Sequence, residues 1–287
     1  MGSAAGDHIV LMGTRGGPAL RPGGSWPTSN LLVAAGQPYV VDCGLGVTRG
    51  VVGAGVPLTA LGHVFITHHH SDHNLEFGNL VYTAWVTGLS TPVRCYGPPG
   101  LMRMADDFCA LNRFDIATRI DDEGRPPLRP LFDVVEYGEG LIHDGDGLKV
   151  TALRNHHPPV TDSFSLKFEW GGKCVVFGGD TAYLPALADF ARGADVLIHE
   201  VMYGLRLDAL VAKVKNGTRL KEHLLASHTM AEDVGRIATA AGVRRLVLNH
   251  FVPGEDLTLS PADWERAVRT TWSGRLDVGR DGLVIPV

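Results

Sequence analysis

The stretch Thr67-His68-His69-His70-Ser71-Asp72-His73 decides the reading of this chain, because it places four metal-binding side chains, His68, His70, Asp72 and His73, within six residues. Imidazole nitrogens and a carboxylate suit a borderline divalent cation such as zinc, and the HxHxDH spacing lets neighbouring ligands face two ions rather than one. His69 alternates with them and reads as a structural or supporting residue. The preceding segment, Leu61-Gly-His-Val-Phe-Ile-Thr67, is apolar enough for a short buried strand that delivers the histidines to a turn at its C-terminal end. Ligands at strand C-termini lie where α/β sheets keep their sites. The pattern points to two-metal hydrolytic chemistry.

A chain of 287 residues can bury a sizeable core. Glycine and proline are dispersed, with no linker, low-complexity stretch or fixed repeat, so residues 1–287 read as one domain. The formal charge of −5 offers no global attraction to nucleic acid, whose binding rests on Lys and Arg neutralising phosphates, and a nucleic-acid partner is not expected. The one local basic run, residues 213–221, reads as a solvated loop or helix face. Cys43, Cys95, Cys109 and Cys174 form no CxxC pair, which fits small buried residues in a reducing compartment. The N-terminus lacks a basic segment followed by an apolar one, and no apolar run approaches a membrane span. A soluble, cytoplasmic protein with no membrane partner is expected.

Apolar runs at residues 8–12, 30–34 and 38–42 read as strands of a first sheet, separated by Gly-rich and Pro-rich turns. Helices are expected over residues 45–52, 75–87 and 101–112, with a strand over 92–96 and an irregular Pro-rich crossover at 125–130. Strand-like segments resume at 148–154, 163–170, 173–177 and 196–199. Late helices are expected over 230–241 and 261–272, the second with Ser260 as N-cap and Pro261 at its first position. Strands and helices in both halves suggest an α/β protein with two sheets face to face and helices outside.

Two metals need more ligands than one motif supplies, and three strand ends offer them. His156-His157 follows the 148–154 strand, Asp180 follows the 173–177 strand through Gly178-Gly179, and His250 closes Arg245-Leu-Val-Leu-Asn249. Each alone is ordinary polar punctuation; beside HxHxDH they form a set. This ordered set resembles the metallo-β-lactamase superfamily, and within it the ribonuclease Z and arylsulfatase-like branch. The resemblance spans nearly the whole length, through Val10-Leu-Met-Gly-Thr14, Val41-Asp-Cys-Gly44, Tyr96-Gly-Pro-Pro-Gly100, Phe177-Gly-Gly-Asp-Thr181, Ile198-His-Glu200, Ser227-His-Thr229 and Leu246-Val-Leu-Asn-His-Phe251. It implies a four-layer αββα sandwich of two mixed sheets flanked by helices, with two divalent ions, zinc first and manganese or iron otherwise. It also implies that His68, His70 and one of His156 or His157 hold one ion, with His157-Pro-Pro-Val the better match. Asp72, His73 and His250 would hold the other, with Asp180 bridging. A homodimer is implied by analogy alone.

Between two divalent cations a water loses much of its pKa, from about 15.7 in bulk to roughly 7 in mononuclear zinc sites. A metal-bridging hydroxide is then available to attack a carbonyl, phosphoryl or sulfuryl centre, and Asp72 can orient it as well as coordinate. In the resembling branch a glutamate after a histidine and a downstream Ser-His-Thr histidine act together near the metals. Here those are Glu200 and His228, which serve either as an acid-base relay or as ties between loops. His199 is a supporting residue at most.

The short interval between His157 and Asp180 leaves no room for the long Gly/Pro-rich arm with which transfer-RNA-processing members grip RNA. A small substrate is expected instead, an ester, lactone, sulfate or phosphodiester. Candidate apolar walls are residues 77–85 with Tyr82 and Trp85, the pair Met202-Tyr203, and Trp26. A ribonuclease Z-like phosphodiesterase and a glyoxalase-II-like thioesterase are the alternatives, and Ile198-His-Glu200 with Ser227-His-Thr229 favours the ribonuclease Z and arylsulfatase-like branch over the thioesterase. His70 stands where flavo-diiron oxidoreductases carry glutamate. Residues 13–18 are no nucleotide loop, since no Gly-Lys-Ser/Thr follows.

Overall fold

Alternating apolar side chains build two seven-stranded sheets. The computed structural model describes residues 6–214, 217–254, 256 and 258–287; residues 1–5 and, within the basic run, 215–216 lie outside them. The first sheet contains β1 (His8–Gly13), β2 (Ser29–Ala34), β3 (Gln37–Val41), β4 (His63–Phe65), β5 (Val93–Gly97) and β6 (Phe132–Glu136). The last strand of the chain, β14 (Leu283–Pro286), closes its edge against β1. The second sheet runs in chain order through β7 (Gly140–Gly145), β8 (Leu148–Arg154), β9 (Phe164–Trp170), β10 (Lys173–Phe177), β11 (Val196–Met202), β12 (Arg245–Val252) and β13 (Arg275–Val278). Each sheet is antiparallel at one end and parallel from its middle outward.

One face of each strand supplies the layer between the sheets. Val41, Phe65 and Tyr96 point inward from the first sheet to meet Phe168, Phe177 and Ile198 of the second, whereas Val40, Val64 and Cys95 point outward. The outer face of the first sheet is covered by α1 (Val47–Gly53), α3 (Phe77–Val86), α4 (Leu101–Leu111) and α5 (Arg113–Glu123), beyond the short α2 (Ser71–Asn74) that follows β4. The second sheet is covered by α6 (Pro185–Phe190), α9 (Ala231–Ala241) and α10 (Pro261–Val268), while α7 (Leu207–Lys213) and α8 (Leu220–Ser227) form a separate cluster with Met202 and Val252. The result is the expected four-layer αββα sandwich. Ser260 caps α10 in a capping box with Asp263, but the helix ends at Val268, short of residue 272. No helix of the described residues is long and apolar enough to cross a membrane.

The expected strand over residues 61–67 pairs only across His63–Phe65, and the one expected at 196–199 continues to Met202. No element was expected at β6, β7, β13, β14, α5, α6, α7 or α8. β7 is a half-exposed edge strand bounded by glycines, and α5 buries only Ile116, so neither has a clear apolar face.

Phe168 is fully buried at the centre of the inter-sheet layer, edge-on to Phe65 at 5.1 Å and to Phe177 at 5.5 Å. Phe168→Ala is expected to cost about 3–5 kcal/mol of unfolding free energy, read by urea denaturation, with a loss under about 1 kcal/mol contradicting this packing.

Candidate metal centre

The site forms where the C-terminal ends of β4, β8 and β10 meet the C-terminal part of β12. Asp42, just past β3, adopts φ 64°, a left-handed conformation that Asp tolerates better than most residues. Its buried carboxylate accepts hydrogen bonds from the Thr67 backbone N–H at 2.8 Å, the Thr67 hydroxyl at 3.0 Å and His73 Nδ1 at 2.8 Å. With Nδ1–H so committed, His73 turns Nε2 to the cluster, buried and without a hydrogen-bond partner.

The same logic fixes two more rings. The Thr67 hydroxyl, having donated to Asp42, accepts from His68 Nδ1 at 3.1 Å, and the Ser227 carbonyl accepts from His157 Nδ1 at 2.9 Å. Both rings therefore offer Nε2 lone pairs, and these lie 3.0 and 3.1 Å from His70 Nδ1. One proton on His70 can satisfy only one of them; a cation satisfies all three.

Asp180 lies between two groups of side chains that could hold a metal ion. It follows β10 through Gly179, at φ 58°, where a Cβ would stand 2.6 Å from the Phe164 carbonyl oxygen, so only glycine fits. The Asn155 side-chain amide donates to the Gly178 and Asp180 carbonyls at 2.8 and 3.1 Å and holds this turn. Asp180 Oδ2 is 3.0 Å from His250 Nε2, 3.4 Å from His73 Nε2 and 3.9 Å from His68 Nε2, while Oδ1 has no partner. One group is thus His68, His70, His157 and Asp180, and the other is Asp72, His73 and His250, each with donor atoms within 4.8 Å of one another.

His250 reaches the site through a β-bulge. Glu200 pairs with Asn249 and Val201 with Phe251, so His250 is the extra residue, at φ 42°. Nearby, the Gly16 N–H bonds the Phe251 carbonyl at 3.1 Å and the Gly17 N–H donates to Asp72 Oδ2 at 2.7 Å, which ties the loop after β1 to the centre.

Burial pushes His68 well below its ordinary pKa and His157 down to about 4, so both rings are neutral donors. Burial also opposes charge on His250, but Asp180 and Asp72 overcome it and raise its pKa to about 10; Asp180, Asp42 and Asp72 do the same for His73 against its burial. Three carboxylates thus draw positive charge into the second group, which is the charge a divalent ion supplies. The orphaned Nε2 of His73, the orphaned Oδ1 of Asp180 and the converging lone pairs at His70 all fit a metal centre.

Glu200 and His228 stand beside it. Glu200 accepts from the Thr181 N–H at 2.6 Å and, through its other oxygen, from His228 Nδ1 at 2.7 Å, and the His228 ring stacks 5.6 Å from that of His250. His69 lies apart, 3.2 Å from the Pro98 carbonyl and 3.1 Å from the Asn74 amide. His156 is exposed, and His199 turns its Nδ1 to the Glu200 carbonyl.

The walls of the site differ from the expected ones. Trp85 is buried with its indole N–H on the Pro126 carbonyl at 2.9 Å, the Tyr82 hydroxyl bonds Asp115, Tyr203 packs on Trp264, and Trp26 lies under Arg49 in another groove. These aromatics are occupied by packing. The cavity at the centre, about 390 Å³, is instead walled by Leu210, Leu220 and Leu224 of α7 and α8, and it carries Arg15, Arg21 and His223. Sequence reasoning missed His223, Asp42 and this wall. His223 lies about 6 Å in ring separation from His70, His157 and His228, and the one signal for it was its place on the helix that leads to Ser227-His228.

The fold and this cluster of donors define a metal-dependent hydrolase. The family model described as Anti-Pycsar protein Apyc1 matches residues 8–224. Ribonuclease Z of Mycobacterium marinum is 33% identical over 277 residues, and that of Mycobacterium bovis 34% over 280, each alignment covering 96% of both chains. The metallo-β-lactamase fold protein YhfI from Bacillus subtilis superposes with a TM-score of 0.72 at 21% identity, covering 97% of this chain and 98% of that one. The chain belongs to the metallo-β-lactamase superfamily, in its ribonuclease Z-like branch, and to the family of Anti-Pycsar protein Apyc1.

His157→Ala is expected to lower bound divalent metal, measured by elemental analysis after dialysis against a fixed free zinc concentration, by at least about tenfold in affinity. His156→Ala should match the parent. The opposite pattern would move the ligand to His156.

Proposed function

We propose that the chain is a dinuclear phosphodiesterase acting on a small anionic molecule. In this reading His68, His70 and His157 hold one divalent ion, Asp72, His73 and His250 a second, and Asp180 is shared between them. Zinc suits this set of imidazoles and carboxylates.

The observation that carries the substrate reading is the cavity. Its volume of about 390 Å³ suits a small ligand, and it opens on Asp72 and Asp180 with Arg15 and Arg21 among its lining. Cationic side chains beside a metal centre favour an anionic substrate, and the leucines of α7 and α8 suit an organic group attached to it. A phosphodiester answers both better than a neutral ester or lactone. Ribonuclease, the name of the curated relatives, denotes cleavage of the same bond.

When bound, the ions supply Lewis acidity and a water of lowered pKa. The rest falls to the chain. Asp72, braced by the Gly17 N–H, orients the nucleophile, and Glu200, accepting from His228 Nδ1–H, favours the protonated ring whose Nε2–H faces the leaving oxygen. His228 then donates its proton as the phosphorus–oxygen bond breaks.

RNA is the second reading, favoured by the identity to the ribonuclease Z relatives. Against it, β9 and β10 join through Gly171-Gly172 alone, so the interval from His157 to Asp180 has no arm to grip a folded RNA.

On matched nitrophenyl substrates the zinc- or manganese-loaded protein is expected to prefer the phosphodiester over sulfate, carboxylic ester and lactone, and Asp72→Ala should lose at least about a hundredfold in turnover. Preference for an ester or lactone would overturn the proposal, and comparable kcat/KM on a transfer-RNA precursor would favour the second reading.

The relay has its own test. Burial lowers the pKa of His228, but Glu200 outweighs it and the net shift is upward. A protonated donor is lost as pH rises through that pKa, so the alkaline limb of kcat should move to lower pH in Glu200→Gln. An unmoved limb would leave Glu200 and His228 as a tie between loops.

A further inference from the structure

A second group of metal-binding side chains lies at the opposite rim of the sandwich. His63 opens β4 on the strand face it shares with Phe65, the face that points between the sheets. The HxHxDH ligands leave the far end of that strand, beginning five residues later at His68, about 16 Å away at 3.3 Å per residue. Across from His63 stands His143 of β7, in the other sheet, with ring centroids 5.6 Å apart and planes at 66°. Asp146, in the turn after β7, completes the group, and one donor atom from each of the three lies within 4.8 Å of the others.

The surroundings hold these rings in place. His143 Nδ1 is 2.7 Å from the hydroxyl of Tyr96, a ring stacked on Phe65 at 4.6 Å inside the core. A carbonyl can only accept, so the 3.2 Å contact of His143 Nε2 with the Gly145 carbonyl carries the Nε2 proton, and the Tyr96 hydroxyl donates to Nδ1. A cation at Nε2 takes the place of that proton, with the hydroxyl turning to accept from Nδ1–H, in the way outer hydrogen bonds orient metal-binding imidazoles. His63 is half-buried against the Tyr39 ring at 5.1 Å, and burial together with His143 keeps it neutral at pH 7. Arg94, the cation nearby, is paired with Asp133 at 2.6 Å.

We propose that His63, His143 and Asp146 form a structural site for a zinc-class cation, separate from the catalytic centre, which clamps the edge strand β7 of one sheet to β4 in the interior of the other. Two imidazoles and a carboxylate favour a borderline ion over calcium or magnesium and leave room for water to complete a tetrahedral shell.

Zinc bound by the whole protein, measured by equilibrium dialysis and elemental analysis, tests this directly. The double variant His63→Gln/His143→Gln is expected to hold one equivalent fewer than the parent at the same free zinc, with the zinc of the catalytic centre retained. Asp146→Asn guards against misfolding, because Asp146 is exposed at φ 54° and Asn tolerates that left-handed backbone. It should weaken the same equivalent by at least about tenfold. Equal zinc in the parent and in either folded variant overturns the site, and if the double variant does not fold, Asp146→Asn decides alone.

Discussion

The Asp42 carboxylate is the point on which the centre depends. Its three bonds, to the Thr67 N–H, the Thr67 hydroxyl and His73 Nδ1, settle the protonation of His73 directly and that of His68 through the hydroxyl it engages. A hydrogen bond to a charged group is worth roughly 1.5–3 kcal/mol, yet here the gain is above all directional. Each Nδ1 given to an outer acceptor turns an Nε2 lone pair inward, and lone pairs that meet without protons call for a cation.

The sandwich makes that assembly possible by bringing strand ends from both sheets to one rim. The candidate ligands of one motif come from the first sheet, while His157, Asp180 and His250 come from the second, so the inter-sheet layer around Phe65 and Phe168 fixes the distance between them. Packing and chemistry are linked in this way: a change in sheet separation moves half of the donors relative to the other half. Glu200, two strands from β9, ties its turn at Thr181 to His228 across the same rim.

Much of this was legible in the chain because the informative residues are local or periodic. HxHxDH places four candidate ligands within six residues, the apolar runs of β1, β2 and β3 mark strands buried on both faces, and the alternation in β9 marks one with a single fully buried face. What escaped depends on contacts between distant segments. Asp42 looked like one more strand-terminal Asp, since its partners Thr67 and His73 are brought to it only by folding. The wall of the cavity comes from α7 and α8, whose leucines resemble those of any covering helix until they are seen facing the centre. Trp85 and Tyr203 misled for the converse reason: large rings near a motif in sequence are most often consumed by the core.

The bulge at His250 separates two demands that a regular strand couples. In strict alternation every second residue belongs to the same face, so a ligand and a packing residue placed next to each other constrain one another's register. By stepping out of pairing for a single residue, β12 sends Val247 into the inter-sheet layer and Leu248 and Phe251 into the helix layer, where Phe251 meets Trp264 at 4.9 Å, while His250 answers to neither. The outer helix can therefore be repacked around Phe251 without disturbing the donor beside it, and the chemistry at His250 can change without reopening the core.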